Sequence, residues 1–217
     1  MKKKVIGNVT LYLGDCMELM ATLPDKSIDL AIVDPPYGIG QTWKKDRNSQ
    51  FYKHCTTYRN NIPPNEKYFN ELFRVSANQI IWGGNYYTRF LPPTGAWLFW
   101  DKKRSEKTFS AMGELAWTSL HISLKIIPLM WNGFCVCETR SGIHPHEKPV
   151  ALFEWILSRF AKTGMKILDT HLGSGSIAIA CQKTTCSLVA CEINKNYFTA
   201  ACKRIEQAVS ENILWQR

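Results

Sequence analysis

Apolar residues at Val9, Leu11 and Leu13 alternate with Thr10 and Tyr12, a period of two that predicts a strand. The strand ends at Gly14-Asp15-Cys16. Asp15 stands as a helix N-cap with Glu18 three residues on, in capping-box position. Met17, Met20 and Ala21 give the following short helix an apolar face, closed by Leu23-Pro24. The run Ile28–Val33 is nearly all apolar and bounded by Asp and Pro, as expected of a parallel strand covered on both faces. Helical spacing returns at 65–75 through Phe69, Leu72 and Phe73. Strands are expected at Gln79–Trp82, before Gly83-Gly84-Asn85, and at Ala96–Trp100, before Asp101; Leu120–Ile127 is a further candidate. Val150–Lys162 is a helix with Pro149 at its start and Leu152, Phe153, Ile156, Leu157 and Phe160 on one face. After it come a strand at Met165–Asp169, a helix at Ile177–Lys183, a strand at Leu188–Cys191 and a helix at Asn194–Ala208. Strands alternating with helices over 217 residues predict one α/β domain spanning 1–217.

Two strand ends carry chemistry. The first is Asp34-Pro35-Pro36-Tyr37, at the carboxyl end of the Ile28–Val33 strand, where open α/β sheets bind ligands. Two prolines fix φ twice and remove two N–H donors. The turn therefore offers acceptors without competing donors: the Asp34 carboxylate and the Asp34 and Pro35 carbonyls. Tyr37 adds a flat face. This suits a planar group bearing an NH2, such as an adenine swung out of its stack. Over four residues an ordinary strand-ending turn reads the same; the rest of the chain favours the chemical reading.

The second is the strand ending in Asp169, followed by Gly173-Ser174-Gly175-Ser176, a helix, and a strand ending in Glu192. This order is the first half of a nucleotide-binding α/β unit. The glycines permit close backbone approach, and the helix N-terminus offers free N–H groups. Glu192, about 20 residues past the turn, stands where a carboxylate takes ribose hydroxyls. A third glycine and the Lys-Ser/Thr of a phosphate loop are missing, which argues against ATP. Acids at both strand ends suit a cationic adenosine cofactor better than a pyrophosphate.

Composition narrows the partners. Twenty-seven Lys and Arg against 18 Asp and Glu give a net charge of +9, which points to a polyanion, nucleic acid first. Residues 38–62 carry Lys44, Lys45, Arg47, Lys53 and Arg59, interleaved with Trp43, Phe51, Tyr52 and Tyr58, a mixture suited to phosphate contacts and base stacking. A second basic segment holds Lys102, Lys103, Arg104 and Lys107. The eight cysteines form no Cys-x-x-Cys pair, so reduced thiols and a cytoplasmic location are expected. Cys135-x-Cys137 and His144-x-His146 match no zinc spacing, and no metal is expected. Met1-Lys2-Lys3-Lys4 is followed by no apolar region, and no run approaches the roughly 20 apolar residues of a membrane span.

Together these features resemble the DNA amino-methyltransferases that use S-adenosylmethionine, in their permuted β-type arrangement, and most of all the small solitary or phage-encoded N6-adenine enzymes. Gly14-Asp15 is similar to the segment touching the cofactor adenine, with Cys16 beside it. Asp34-Pro35-Pro36-Tyr37 is similar to the catalytic motif, and His144-Pro145-His146-Glu147-Lys148-Pro149 to the His-Pro-x-x-Lys-Pro element near the cofactor's methionine end. Asp169 to Gly175 resembles the cofactor loop, but Thr170-His171 stand where the commoner loop has Pro-Phe. The resemblance implies a Rossmann-like methyltransferase fold with a seven-stranded, mostly parallel sheet between helices and a circularly permuted motif order. It implies methyl transfer to adenine N6 of a flipped base in duplex DNA, with Asp34, Pro35, Pro36 and Tyr37 as the catalytic group. The expected cofactor residues are Asp15, Cys16, Asp34, His144, Lys148, Asp169, His171, Gly173, Ser174, Gly175 and Glu192. DNA contacts are expected from insertions at 38–62 and 101–140, through Lys44, Lys45, Arg47, Lys53, Arg59, Lys102, Lys103 and Arg104. The alternatives are N4-cytosine methylation, RNA or protein-amide methylation, and a non-catalytic DNA-binding partner subunit. The oligomeric state stays open between monomer and homodimer.

Overall fold

The computed structural model describes residues 1–39, 62–107, 111–132, 135–136, 141–144 and 146–215. The expected DNA contacts at Lys44, Lys45, Arg47, Lys53 and Arg59 lie outside the described residues.

The chain opens with the hairpin β1 (Lys2–Ile6) and β2 (Val9–Leu13), then α1 (Cys16–Ala21) and β3 (Ile28–Val33). The Asp15 side chain accepts from Met17 N and caps α1, as expected. Next come α2 (Glu66–Val75), β4 (Ser76–Trp82), β5 (Trp97–Asp101), β6 (Gly113–Thr118) and β7 (Lys125–Pro128). A short ribbon of β8 (Trp131–Asn132) and β9 (Cys135–Val136) precedes α3 (Val150–Phe160). The chain closes with β10 (Lys166–Asp169), α4 (Ser176–Gln182), β11 (Ser187–Glu192) and α5 (Lys195–Trp215).

One sheet runs β1-β2-β11-β10-β3-β4-β6-β5-β7. The five strands from β2 to β4 pair in parallel, while β1 and β6 run against their neighbours. The chain proceeds outward in opposite directions from β3 and β10, and those two are adjacent. That is a topological switch point, and the crevice beyond it is where this architecture binds ligands.

Side chains alternate between two cores, as the period of a strand requires. Leu30 and Ile32 of β3 and Ile167 of β10 pack with Ile156 of α3, Ile177 of α4 and Ile205 of α5. Ala31 and Val33, with Leu168, pack on the other face with Leu19 and Met20 of α1 and Phe69 and Leu72 of α2. Full burial of each such side chain stabilises by about 1.5–3 kcal/mol, so both helical layers are firmly attached.

The sheet has nine strands rather than the seven implied by the resemblance. Two were not legible in the pattern. β1 is a Lys-rich edge strand whose first residues face solvent, so its pattern reads as a charged leader. β6 opens with Gly113-Glu114; a Cβ on Gly113 would stand 2.3 Å from the Phe99 ring and 2.6 Å from the Trp100 carbonyl. Of Leu120–Ile127 only the end is strand, as β7. Within the 101–140 segment, β6 sits between β4 and β5 and forms part of the sheet. Among the described residues no helix is long and apolar enough to cross a membrane.

Candidate active site

The parallel strands end on one edge of the sheet, which brings Asp34, Asp169, Glu192 and Gly14 together there. Gly14 N donates to the Glu192 carbonyl at 3.0 Å, and Leu172 N to the Cys191 carbonyl at 2.9 Å, so the strand ends are laced to each other. β6 runs the opposite way and therefore begins at this edge, delivering Glu114; Gly83 N donates to Leu115 O at 2.8 Å.

The glycine loop is held from below. The Glu192 carboxylate accepts from Gly173 N at 2.9 Å and from Asn194 N at 2.8 Å. Gly175 has φ +81°, and a Cβ there would press on Ile205 at 3.1 Å and Ala201 at 3.3 Å, so glycine is required by both backbone and space. Arg204 of α5 ties this loop to the His144–Lys148 segment: it donates to Ser174 O and Ser176 Oγ and pairs with Glu147 at 3.2 Å. His144 lies against Gly173.

Asp169 is buried, and its Oδ1 accepts from His171 N at 2.9 Å. Burial pushes its carboxyl up to about 7, with Asp34 and Glu192 adding to the shift against the His171 N–H. A carboxyl raised in the folded state binds its proton more tightly there than in the unfolded chain. Its contribution to stability is present at low pH and is lost as pH rises from about 4 to about 7. Half-buried His144 and His171, pulled down by desolvation to about 3 and about 4, act with the opposite sign below about pH 6.5. Urea unfolding of wild type and Asp169→Asn isolates the carboxyl. The variant is expected to gain on wild type as pH rises through that window, by on the order of 1 kcal/mol per unit. A constant difference would contradict the buried carboxyl.

The Asp34 carboxylate sits in a chain of alternating charges. Its Oδ2 pairs with Lys148 Nζ at 2.5 Å, and its Oδ1 accepts from the Tyr37 hydroxyl at 2.7 Å. Lys148 Nζ also pairs with Glu114 Oε2 at 3.0 Å, and Glu114 Oε1 pairs with Lys102. Lys148 is only 6% exposed. Burial alone would lower its pKa, but Asp34 and Glu114 outweigh burial and hold it above the ordinary value. Burial likewise pushes Glu114 up, and the two lysines overcome it and hold the carboxyl low. The Tyr37 hydroxyl is raised by burial, then by Asp34 and Glu114, and stays protonated as a donor. The Tyr37 ring stacks on Tyr86 at 5.1 Å, with 20° between planes. A Cβ on Gly83 would fall 2.2 Å from the Tyr37 ring, so Gly83 makes room for it. Behind the turn, the buried Tyr87 hydroxyl donates to the carbonyls of Pro35 at 2.9 Å and Pro36 at 2.7 Å.

Asp34, Tyr37, Lys148, Asp169, His171, the glycine loop, His144 and Glu192 therefore share one edge, with Asp15 and Cys16 just past β2. Burial, then Asp15, pushes the Cys16 thiol up to about 12, so it is an inert thiol rather than a nucleophile. Lys102, expected as a DNA contact, is 7% exposed and pairs with Glu114. Arg104 binds the Trp131 and Ala111 carbonyls and braces its own loop, while exposed Lys103 pairs with Asp101. Sequence reasoning missed Glu114, Tyr86, Tyr87 and Arg204. The adjacent aromatics after Gly83-Gly84 were a readable signal; Glu114 and Arg204 gave none.

Residues 65–203 match the model of a family described as DNA methylase, of the N6/N4 type. The type II methyltransferase M.HpaI of Haemophilus parainfluenzae is 24% identical over 234 residues, covering 90% of this chain and 74% of that one. M.ScaI of Streptomyces caespitosus, also a type II methyltransferase, is 24% identical over 270 residues, covering 94% and 86%. Among solved structures, a complex of M1.HpyAVI with S-adenosylmethionine superposes with a TM-score of 0.58 at 18% identity, covering 90% of this chain and 99% of that one. The cytosine-N4-specific PvuII DNA methyltransferase superposes at 0.61 with 14% identity, covering 94% and 90%. These two likenesses concern the fold.

Proposed function

Because the chain belongs to the DNA methylase family whose model it matches over 65–203, we propose that it moves a methyl group from S-adenosylmethionine to the amino nitrogen of an unstacked base in duplex DNA, adenine N6 foremost. The observation that carries this reading is the Asp34 carboxylate at the switch point, next to the Gly173–Gly175 loop.

The residues fit the cofactor. Asp169 and Glu192 are buried acids whose carboxyls burial has raised, and a cationic ligand beside them would offset that burial. Gly173, where a Cβ would meet only the His144 ring at 3.6 Å, leaves room beside the loop, while Gly175 lets the loop pack down on α5. Glu192 would hold the ribose; Ile193, 73% exposed beside it, offers an apolar surface, and Asp15 lies near the same end. Lys148 and His144 stand between this loop and Asp34. When bound, S-adenosylmethionine supplies an electrophilic methyl on a positive sulfur.

The chain's own part is positioning and electrostatics. An exocyclic amino nitrogen is a weak nucleophile because its lone pair is delocalised into the ring. Asp34 and the Pro35 carbonyl accept its two hydrogens and draw the nitrogen towards a tetrahedral shape. The Tyr37–Tyr86 stack forms the aromatic platform beside it. The acidic first position of the tetrad favours adenine over cytosine within the resemblance. Duplex contacts fall to the basic and aromatic stretch at 38–62 and to exposed Lys103.

Glu192→Gln tests the cofactor end. It removes the charge that two backbone N–H groups grip. S-adenosylmethionine binding by titration calorimetry is expected to weaken roughly 10- to 100-fold. Unchanged affinity would remove Glu192 from the site.

A further inference from the structure

The Tyr37 hydroxyl in this structure occupies the oxygen of Asp34 that the proposed reaction needs. It donates to Oδ1 at 2.7 Å, while Lys148 fills Oδ2. A hydrogen already donated to a carboxylate oxygen weakens that oxygen as acceptor for a second. The hydroxyl has somewhere else to go. Glu114 Oε2 lies 3.3 Å from the same Tyr37 oxygen, and Lys148 Nζ donates to that oxygen at 3.2 Å. The ring need not move: Tyr86 stacks on it and Gly83 is fitted beneath it. Turning the O–H bond is enough to pass the hydrogen from one carboxylate to the other.

We propose that Glu114 is a positioning residue that receives the Tyr37 hydroxyl when the substrate amino group takes Asp34 Oδ1. This rests on the reading above that Asp34 accepts an amino hydrogen. No covalent bond changes. One hydrogen bond, Tyr37 to Asp34, is exchanged for Tyr37 to Glu114, and the substrate amino group replaces the hydroxyl. Before substrate arrives, the hydroxyl keeps the carboxylate satisfied. Afterwards Glu114 keeps the hydroxyl satisfied, and Lys148 bridges both carboxylates throughout. Lys102 holds the far oxygen of Glu114, which keeps Oε2 facing Tyr37.

The test is a double-mutant cycle on the whole chain with duplex DNA and S-adenosylmethionine. In the wild-type background Glu114→Gln is expected to lower kcat/KM for DNA at least tenfold, with S-adenosylmethionine affinity within about twofold. In a Tyr37→Phe background there is no hydroxyl to receive, and the same substitution is expected to cost less than about threefold, whatever Tyr37→Phe costs by itself. Glu114→Asp, which keeps a negative charge between the two lysines but withdraws it from Tyr37, follows the same pattern and replaces Glu114→Gln if that variant does not fold. Equal losses in both backgrounds would overturn the hand-over and leave Glu114 acting through Lys148 alone. A wild-type protein that binds S-adenosylmethionine but methylates no amino nitrogen would overturn the underlying reading instead.

Discussion

Replacing Asp34 by alanine is expected to lower methyl transfer to DNA by about a thousandfold and to leave S-adenosylmethionine affinity within a few fold. The carboxylate is not part of the glycine loop and makes no bond to Asp169 or Glu192; its partners are Tyr37 and Lys148. Its removal therefore spares the cofactor half. The catalytic half loses the strongest acceptor for the amino hydrogen, and only the Pro35 carbonyl remains, pinned by Tyr87. Single-turnover kinetics with calorimetry separates the two halves. Substantial residual transfer would remove Asp34 from the centre of the mechanism. An equal loss of cofactor affinity would move Asp34 from the amino group to the cofactor end of the site.

Lys148→Met is expected to damage both stability and activity. The ammonium is buried between the Asp34 and Glu114 carboxylates. Removing one member of a buried ionic cluster leaves uncompensated charge and costs about 3–5 kcal/mol. Without Lys148, Asp34 and Glu114 share a small volume with Lys102 as the remaining cation. Burial then raises the Glu114 carboxyl with Lys148 no longer opposing it, so stability falls as pH rises above the unfolded carboxyl pKa near 4. The gap between variant and wild type in thermal unfolding is expected to be wider at pH 8 than at pH 5. Transfer falls as well, because Asp34 loses the cation that fixes it. A gap that narrows with rising pH would contradict the bridging role.

The half of the molecule that organises the site was legible because its signals are local. β3 is a buried apolar run stopped by two prolines, and Gly173 and Gly175 stand between a strand and a helix. The Asp15 cap follows from a side chain two residues from its partner. What escaped is non-local. Glu114 matters because β6 runs antiparallel and starts where the others end, and nothing near Glu114 in the chain announces that. Arg204 acts across about 30 residues, on a loop whose glycines were read without it. The Lys102 contact is non-local in the same way: in a run of basic residues it resembles a phosphate contact, and its place just past β5, two residues beyond the Trp100 that pairs with Glu114, brings its ammonium to that carboxylate. Thr170-His171, which depart from the commoner Pro-Phe, make sense only with Tyr68. The Tyr68 hydroxyl lies 2.6 Å from Thr170 Oγ1, which lies 2.8 Å from His171 Nδ1, a buried relay that fixes the imidazole beside Asp169.

The most direct measurement is transfer of labelled methyl from S-adenosylmethionine to unmethylated duplex DNA, followed by digestion to nucleosides and mass spectrometry. Label is expected in N6-methyl-deoxyadenosine, reduced about a thousandfold by Asp34→Ala. Label in N4-methyl-deoxycytidine would keep the mechanism and correct the base. Absence of label on any base amino nitrogen, with the cofactor bound, would contradict the account at its centre.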